Sequence, residues 1–236
     1  MNKQNHEYNE LPVGQAVPAV EVAAPARKAF EGRFVSLLPL DAERDGDDLF
    51  DISHGSTERD QIWTYLSYGP FQDVEAMKRT LAAQAQSTDT LFFAVVEQAS
   101  GKRMGVVSFL NIVPQMRRLE LGHIWYGLEA QRTKINTETI YLMLCETFDQ
   151  LHYRRAEWKC DSLNARSRAA ALRLGFRFEG LFRQHIIYKG RNRDTAWFGM
   201  MDHQWPTIKA NMERWLYGDE PGLSLRELNG NLEDGV

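Results

Sequence analysis

The sequence predicts one α/β domain. β-branched and aromatic runs alternate with helically spaced apolar positions, and the composition, 43% hydrophobic and 25% charged over 236 residues, is that of a packed globular chain. A chain of this length can bury a sizeable core without dividing. The formal net charge of -4 argues against a dedicated nucleic-acid partner. Cys145 and Cys160 lack partners at metal-ligand spacing, so neither a disulfide framework nor a metal site is expected. With no apolar stretch of about 18 residues and no basic-then-apolar leader, the expected setting is the cytoplasm, away from membranes.

In chain order, residues 1–29 mix Ala, Val, Pro and Glu without periodicity and read as an extended or disordered arm ahead of a domain over 30–217. Phe34 to Leu38, closed by Pro39, is the first strand. Leu49 to Thr57, Ile62 to Leu66 and Val74 to Gln86 read as helical pieces interrupted at Gly69-Pro70. Leu91 to Glu97 and Met104 to Val113, joined through Ser100-Gly101-Lys102, read as an antiparallel pair. In the next strand, Leu119 to Tyr126, plain alternation puts Glu120, Gly122, Ile124 and Tyr126 on one face and Leu119, Leu121, His123 and Trp125 on the other. Apolar residues on both faces predict a central position.

After a loop at 127–136, Ile140, Met143, Leu144, Phe148 and Leu151 follow helical spacing. Arg155 to Cys160 is strand-like, and Ala165 to Leu174 reads as a helix ended by Gly175. Phe176 to Phe182, His185 to Lys189 and Thr195 to Met201 read as closing strands with a turn at Gly190 to Arg193. Pro206 to Tyr217 reads as a last helix. Residues 218–236, with five acidic side chains against one Arg, read as a solvated tail.

Two stretches carry chemistry. Residues 119–138 run from a buried strand through a polar loop into a helix N-terminus, where free amides and the helix dipole favour a phosphate. Thr133, Asn136 and Thr137 add polar donors there, and Arg132 and Lys134 add charge; Asn136 or Thr137 could equally be only a helix cap. In residues 160–176, Asn164 and Ser167 lie one helical turn apart at the start of a helix, able to face one ligand or to cap it. Between Asn164 and Arg193 there are eight Lys/Arg residues against Glu179 alone, a positive concentration suited to a polyphosphate or to a solvated face.

These segments resemble the core of the GNAT superfamily of N-acyltransferases. The carriers are the Gln131 to Thr137 loop, the series Asn164-x-x-Ser167 through Leu174-Gly175-Phe176 to Glu179-Gly180, and FEGLFRQHIIYKGRNRDTAWFGMM over 178–201, which is similar to the closing strands of RimJ/RimL-type enzymes. The similarity spans about residues 33 to 205. It implies a mixed, mostly antiparallel sheet of six to seven strands flanked by helices, with a splay between two central strands, and acetyl-CoA as co-substrate in that splay. Backbone groups of Ile124, Trp125 and Tyr126 would hold the pantetheine. Loop amides of Arg132, Thr133, Lys134, Ile135, Asn136 and Thr137 would hold the pyrophosphate, and Asn164 and Ser167 would meet the pantetheine and thioester end.

Two departures stand out. Lys134 and Asn136 occupy loop positions where the family usually has small residues; a side chain at either could obstruct close backbone approach, or Lys134 could point outward or reach a phosphate. Ala171 occupies the position of the tyrosine that many members use as general acid. The expected reaction is acetyl transfer to a primary amine, with Glu120 as base and Ser167 as donor to the leaving thiolate, and with Tyr188, His185 and Asp194 lining the acceptor site. The thin acid-base equipment favours an α-amine, of a protein N-terminus or a small molecule, over a lysine. A CoA-binding module without turnover, acting as sensor or interaction protein, is the competing reading, and a homodimer is left open. No G-x-x-x-x-G-K-[ST] or G-x-G-x-x-G turn supports an unrelated nucleotide binder.

Overall fold

The computed structural model describes residues 11–230 of the chain. Residues 11–29 form no regular element and run along the surface, tied down where Tyr153 Oη donates to the Ala23 carbonyl (3.1 Å) and Lys28 meets Glu146 (3.0 Å). An eight-stranded sheet follows, built from β1 (Phe30–Glu31), β2 (Val35–Pro39), β3 (Leu91–Glu97), β4 (Arg103–Val113), β5 (Arg118–Tyr126), β6 (Arg155–Asp161), β7 (Arg177–Tyr188) and β8 (Arg191–Met201). Their spatial order is β1-β2-β3-β4-β5-β6-β8-β7, and every neighbouring pair is antiparallel except β5 with β6. Six to seven strands were expected; the addition is β1, two residues long and too short to leave a period in the sequence.

Among the described residues seven α-helices complete the fold: α1 (Ala42–Ser53), α2 (Thr57–Asp60), α3 (Val74–Ala85), α4 (Lys134–Leu144), α5 (Ala165–Arg173), α6 (Trp205–Tyr217) and α7 (Leu225–Gly230). Five of them, α1 to α5, start on side-chain caps. Asp41 accepts from Arg44 N (2.8 Å) and starts α1 well before the expected Leu49, and Asp73 accepts from Ala76 N (2.7 Å) at α3. The helix α4 continues as a π-helical turn over Cys145–Gln150.

Both faces of the sheet are packed. Helices α4 to α7 bury Ile140, Met143, Leu174, Ile208 and Leu225 against Leu37, Phe93, Phe109, Leu121 and Phe198. On the opposite face α1 and α3 enclose a smaller aromatic core, with Leu49, Trp63 and Met77 against Phe92, Val106 and Trp125. Burying each of these large side chains contributes about 1.5–3 kcal/mol. Helix α1 lies over β4 and α3 over β3, which leaves that face of β6, β8 and β7 without a helix among the described residues.

Two expectations at the C-terminal side are corrected. The closing strands are one continuous β7 with register shifts, joined to β8 by a two-residue turn at Lys189-Gly190, not at Gly190 to Arg193. Both turn residues have positive φ (48° and 69°), the backbone that a tight two-residue hairpin requires. The tail is not simply solvated. Leu225 and Asn229 of α7 are buried, and Asn229 donates to the Arg173 carbonyl (2.9 Å), because an apolar anchor and a side-chain amide can hold a short helix that charge counting misses. Residues 231–236 of that tail and 1–10 of the arm lie outside the described residues.

Candidate active site

Strands β5 and β6 pair only from Arg118 with Arg155 to Leu121 with Trp158. Beyond that rung, Gly122–Tyr126 pair with β4 alone and Lys159–Asp161 with β8 alone, so the two strands part and the facing backbone edges have no ladder partner. The divergence begins at a β-bulge. Gly122 pairs with Ser108 and Trp125 with Val106, so His123 and Ile124 together oppose Val107, and His123 has φ +49°. Glycine at 105 makes room here, since a Cβ would collide with the Trp125 carbonyl.

The bulge overturns the expected alternation. Leu119 and Leu121 face α4, and past His123 so do Ile124 and Tyr126; Trp125 turns to the α1/α3 face with Trp63. One extra residue exchanges the faces of everything downstream. Thus Ile124, Trp125 and Tyr126 lie on the part of β5 that β6 does not pair, on side-chain faces opposite to those read from the sequence.

At the mouth of this gap stands the N-terminus of α4. Arg132 adopts φ +63°, and Thr133 caps the helix, its hydroxyl accepting from Ile135 N (3.2 Å) and donating to the Ala130 carbonyl (2.7 Å). The remaining first-turn N–H groups point out of the helix end. Both suspected obstructions are engaged by the protein itself. The Lys134 ammonium donates to the Leu216 carbonyl and lies 4.9 Å from the Phe34 ring centroid, and Asn136 Oδ1 accepts from Arg173 Nη2 (3.1 Å).

Arg173 was not anticipated. Its second nitrogen donates to Thr137 Oγ1 (2.9 Å), no carboxylate of the described residues pairs with it, and burial pushes its pKa down. An unpaired guanidinium against the positive end of a helix is uphill unless an anion joins them. That arrangement fits a diphosphate. The sequence signal was present: Arg173 is the last residue of α5, on the helix that follows the second diverging strand.

Asn164 takes the capping alternative, its Oδ1 accepting from Ser167 N (3.0 Å) at the start of α5. Ser167 Oγ accepts from the Trp158 indole (3.0 Å), on the α4 side of β6. Ala171 is fully buried.

Glu120 is on the opposite face and is not a free carboxylate. Its Oε2 accepts from Lys159 Nζ (2.7 Å) and Asn111 Nδ2 (2.6 Å), and Lys159 lies 3.8 Å over the Trp197 ring. Its register partner Glu157 takes Arg155 (2.9 Å) and Arg118 (3.5 Å). The alternation Glu157, Lys159, Asp161 along β6 forecast this ladder of charge on one face.

Of the three expected acceptor residues, Tyr188 stands beside the end of β6. Its hydroxyl donates to Asp161 Oδ2 (2.9 Å) at the end of β6; burial first, then the Asp161 carboxylate, push its pKa up to about 12. His185 Nδ1 is 2.9 Å from Thr195 Oγ1. Asp194 accepts from Gln184 N (2.8 Å) and Asn192 Nδ2 (2.9 Å), which hold its pKa low and commit it to the hairpin. A cavity of about 240 Å3 lies between the hairpin tip and the loop after α2, lined by Asp60, Trp63, Thr64, Pro70, Tyr188, Lys189 and Arg191; Lys189 Nζ closes one side on the Trp63 carbonyl (2.8 Å). A larger cavity of about 680 Å3 lies between Val17–Glu21 and Gln115–Arg117, beside the starts of β5 and β6, away from the divergence.

His123, on the same side as Glu120, packs on Tyr68 (centroids 5.8 Å apart) and Phe92 (4.9 Å), and burial lowers its pKa below 6.5. Among the described residues, no helix is long and apolar enough to cross a membrane.

Comparison with known proteins agrees with this geometry. The family model described as acetyltransferase (GNAT) domain matches residues 35–177, more than half of the chain. A crystal structure of a GCN5-related N-acetyltransferase from Brucella melitensis is 40% identical, covers 89% of this chain and 97% of its own, and has a TM-score of 0.84. A GNAT-family acetyltransferase structure from Chromobacterium violaceum ATCC 12472 is 38% identical, covers 83% and 99%, and has a TM-score of 0.75. YdaF of Bacillus subtilis (strain 168), whose name carries a ribosomal N-acetyltransferase assignment, is 23% identical over 171 residues, 72% of this chain and 90% of its own. The chain belongs to the GNAT acetyltransferase family and is an acetyl-CoA-dependent N-acetyltransferase.

Proposed function

We propose that the acceptor is the α-amino group of a protein or peptide N-terminus. The closure of Glu120 by Lys159 and Asn111 carries this reading, because it leaves the site without a free carboxylate base at the expected place. An α-amine with pKa near 8 is partly neutral at pH 7, whereas a lysine near 10.4 needs about 3.5 kcal/mol more to lose its proton. The helix-free face over β6, β8 and β7 has room for a polypeptide, and the name of YdaF points the same way.

Acetyl-CoA supplies the acetyl group already activated as a thioester. On the chain's side, the unpaired β5 edge from Gly122 to Tyr126, with Ile124, Trp125 and Tyr126, aligns the pantetheine arm. Amides of Arg132, Thr133, Lys134, Ile135, Asn136 and Thr137, with the Arg173 guanidinium behind them, receive the diphosphate. Asn164 fixes the first turn of α5 and so places Ser167, whose hydroxyl, oriented by the Trp158 indole, donates to the departing sulfur. The cavity at Tyr188 receives the acceptor, while His185 and Asp194 shape the hairpin that carries it.

Thiol release measured with acetyl-CoA and matched acceptors tests the reading. Peptides with a free N-terminus should exceed the same peptides N-blocked but carrying lysine by about 300-fold in kcat/KM, the ratio implied by the protonation difference. Preference for lysine or for small amines would refute it.

A further inference from the structure

We propose that His123 is the catalytic base that takes the proton from the acceptor amine, an inference that rests on the acetyl transfer described above. Three geometric observations support it. His123 is the second residue past the last β5–β6 rung, where the strands have parted. The bulge sends its ring to the α1/α3 face, the face of Glu120 and of the loop that walls the acceptor cavity. Its imidazole is held by ring contacts alone, with Tyr68 on one side and Phe92 on the other, so no described residue occupies a ring nitrogen.

The chemistry matches the position. Burial keeps the imidazole in its neutral, proton-accepting form at pH 7, and no charged neighbour contributes to that shift; the titratable group facing it is the Tyr68 phenol, itself kept protonated by burial. As the amine nitrogen bonds to the acetyl carbon, His123 accepts the N–H proton. The C–S electron pair leaves with the sulfur, which takes a proton by way of Ser167 and solvent, and the imidazolium returns its own proton to water. Glu120, bonded to Lys159, is a positioning residue of the strand.

The left-handed backbone at 123 suits His and Asn alike, so a purely conformational role would survive His123→Asn. The test compares wild type and His123→Asn by kcat/KM from pH 5 to 9 with an N-terminal peptide. CoA affinity, melting temperature and the imidazole NMR titration of the protein without acetyl-CoA are measured alongside. The expected result is a loss of about 100-fold or more in kcat with CoA affinity within twofold. The acidic limb should disappear, leaving only the ionisation of the peptide amine, and the wild-type imidazole should titrate below 6.5. A variant within threefold of wild type across the range overturns the base role alone. An imidazole titrating at or above 6.5 overturns it irrespective of turnover. A wild-type enzyme silent with every amine overturns the proposed function and the base role together.

Discussion

Removing the carboxylate of Glu138 should unfasten the first long strand, β2, from α4. Glu138 is fully buried on α4; its Oε1 accepts from Arg33 N (2.9 Å) and Tyr217 Oη (2.8 Å), and its Oε2 from Phe34 N (2.6 Å) and Val35 N (2.8 Å). Glycine at 32 permits this approach, because a Cβ there would lie 2.6 Å from Oε2. In Glu138→Ala three backbone donors lose their acceptor at about 1 kcal/mol or more each, and the charge-assisted character of the bonds raises the total to about 3–5 kcal/mol. For a domain of this size that is a fall of roughly 6–20 °C in Tm. Glu138→Gln keeps one acceptor oxygen but turns an NH2 towards donors, so its loss should fall between wild type and alanine. Urea unfolding followed by tryptophan fluorescence and circular dichroism measures both, with an unchanged m-value marking a simple stability effect. An alanine variant within about 1 kcal/mol of wild type, below that sum, would refute the reasoning.

Three further outcomes follow from the site and its supports. Lys159→Met strands the Glu120 carboxylate with Asn111 alone and should cost about 3 kcal/mol in urea unfolding, whereas the double variant with Glu120→Leu should recover most of it. Arg173→Gln should weaken acetyl-CoA binding about tenfold by calorimetry without lowering Tm, since it removes an unpaired cation; unchanged affinity would separate Arg173 from the diphosphate. The Asp45 pKa is set by burial, which raises it, and by Arg44, Arg103 and the Asp41 N–H, which together outweigh burial and bring it below 3.8. Its contribution is therefore full above pH 3.8 and lost as pH falls through the lower folded value, so Asp45→Asn should be less stable at pH 7 and lack that acid limb. Equal acid slopes in the two proteins would refute the assignment.

The order of elements was legible because each leaves a period: Leu91 to Glu97 as an apolar run, Ile140 to Leu151 at helical spacing, and Gly175 as a terminator with φ +95°. The C-terminal helix was not, because Leu225 and Asn229 hold it by two contacts that composition hides beneath acidic neighbours. Lys134 was left open between obstructing the loop, pointing outward and reaching a phosphate, because a sequence records which side chain is present and not where it points. Its ammonium found the free carbonyl at the end of α6, a partner 82 residues away. The Glu120–Lys159 pair was within reach of the strand period, since Glu157, Lys159 and Asp161 alternate with Ala156, Trp158 and Cys160.

What the strand period could not reveal is the bulge. A period-2 reading holds only while both strands advance together, and His123, at φ +49°, adds one residue that β4 does not match. The same insertion ends the usefulness of the sequence pattern beside the divergence from β6, so the register fails where the two strands part. A local irregularity at this place is what a cleft inside a sheet requires. Continuous pairing would consume the free backbone groups of the β5 edge, and an unbroken alternation would send Trp125 into the α4 core and away from Trp63.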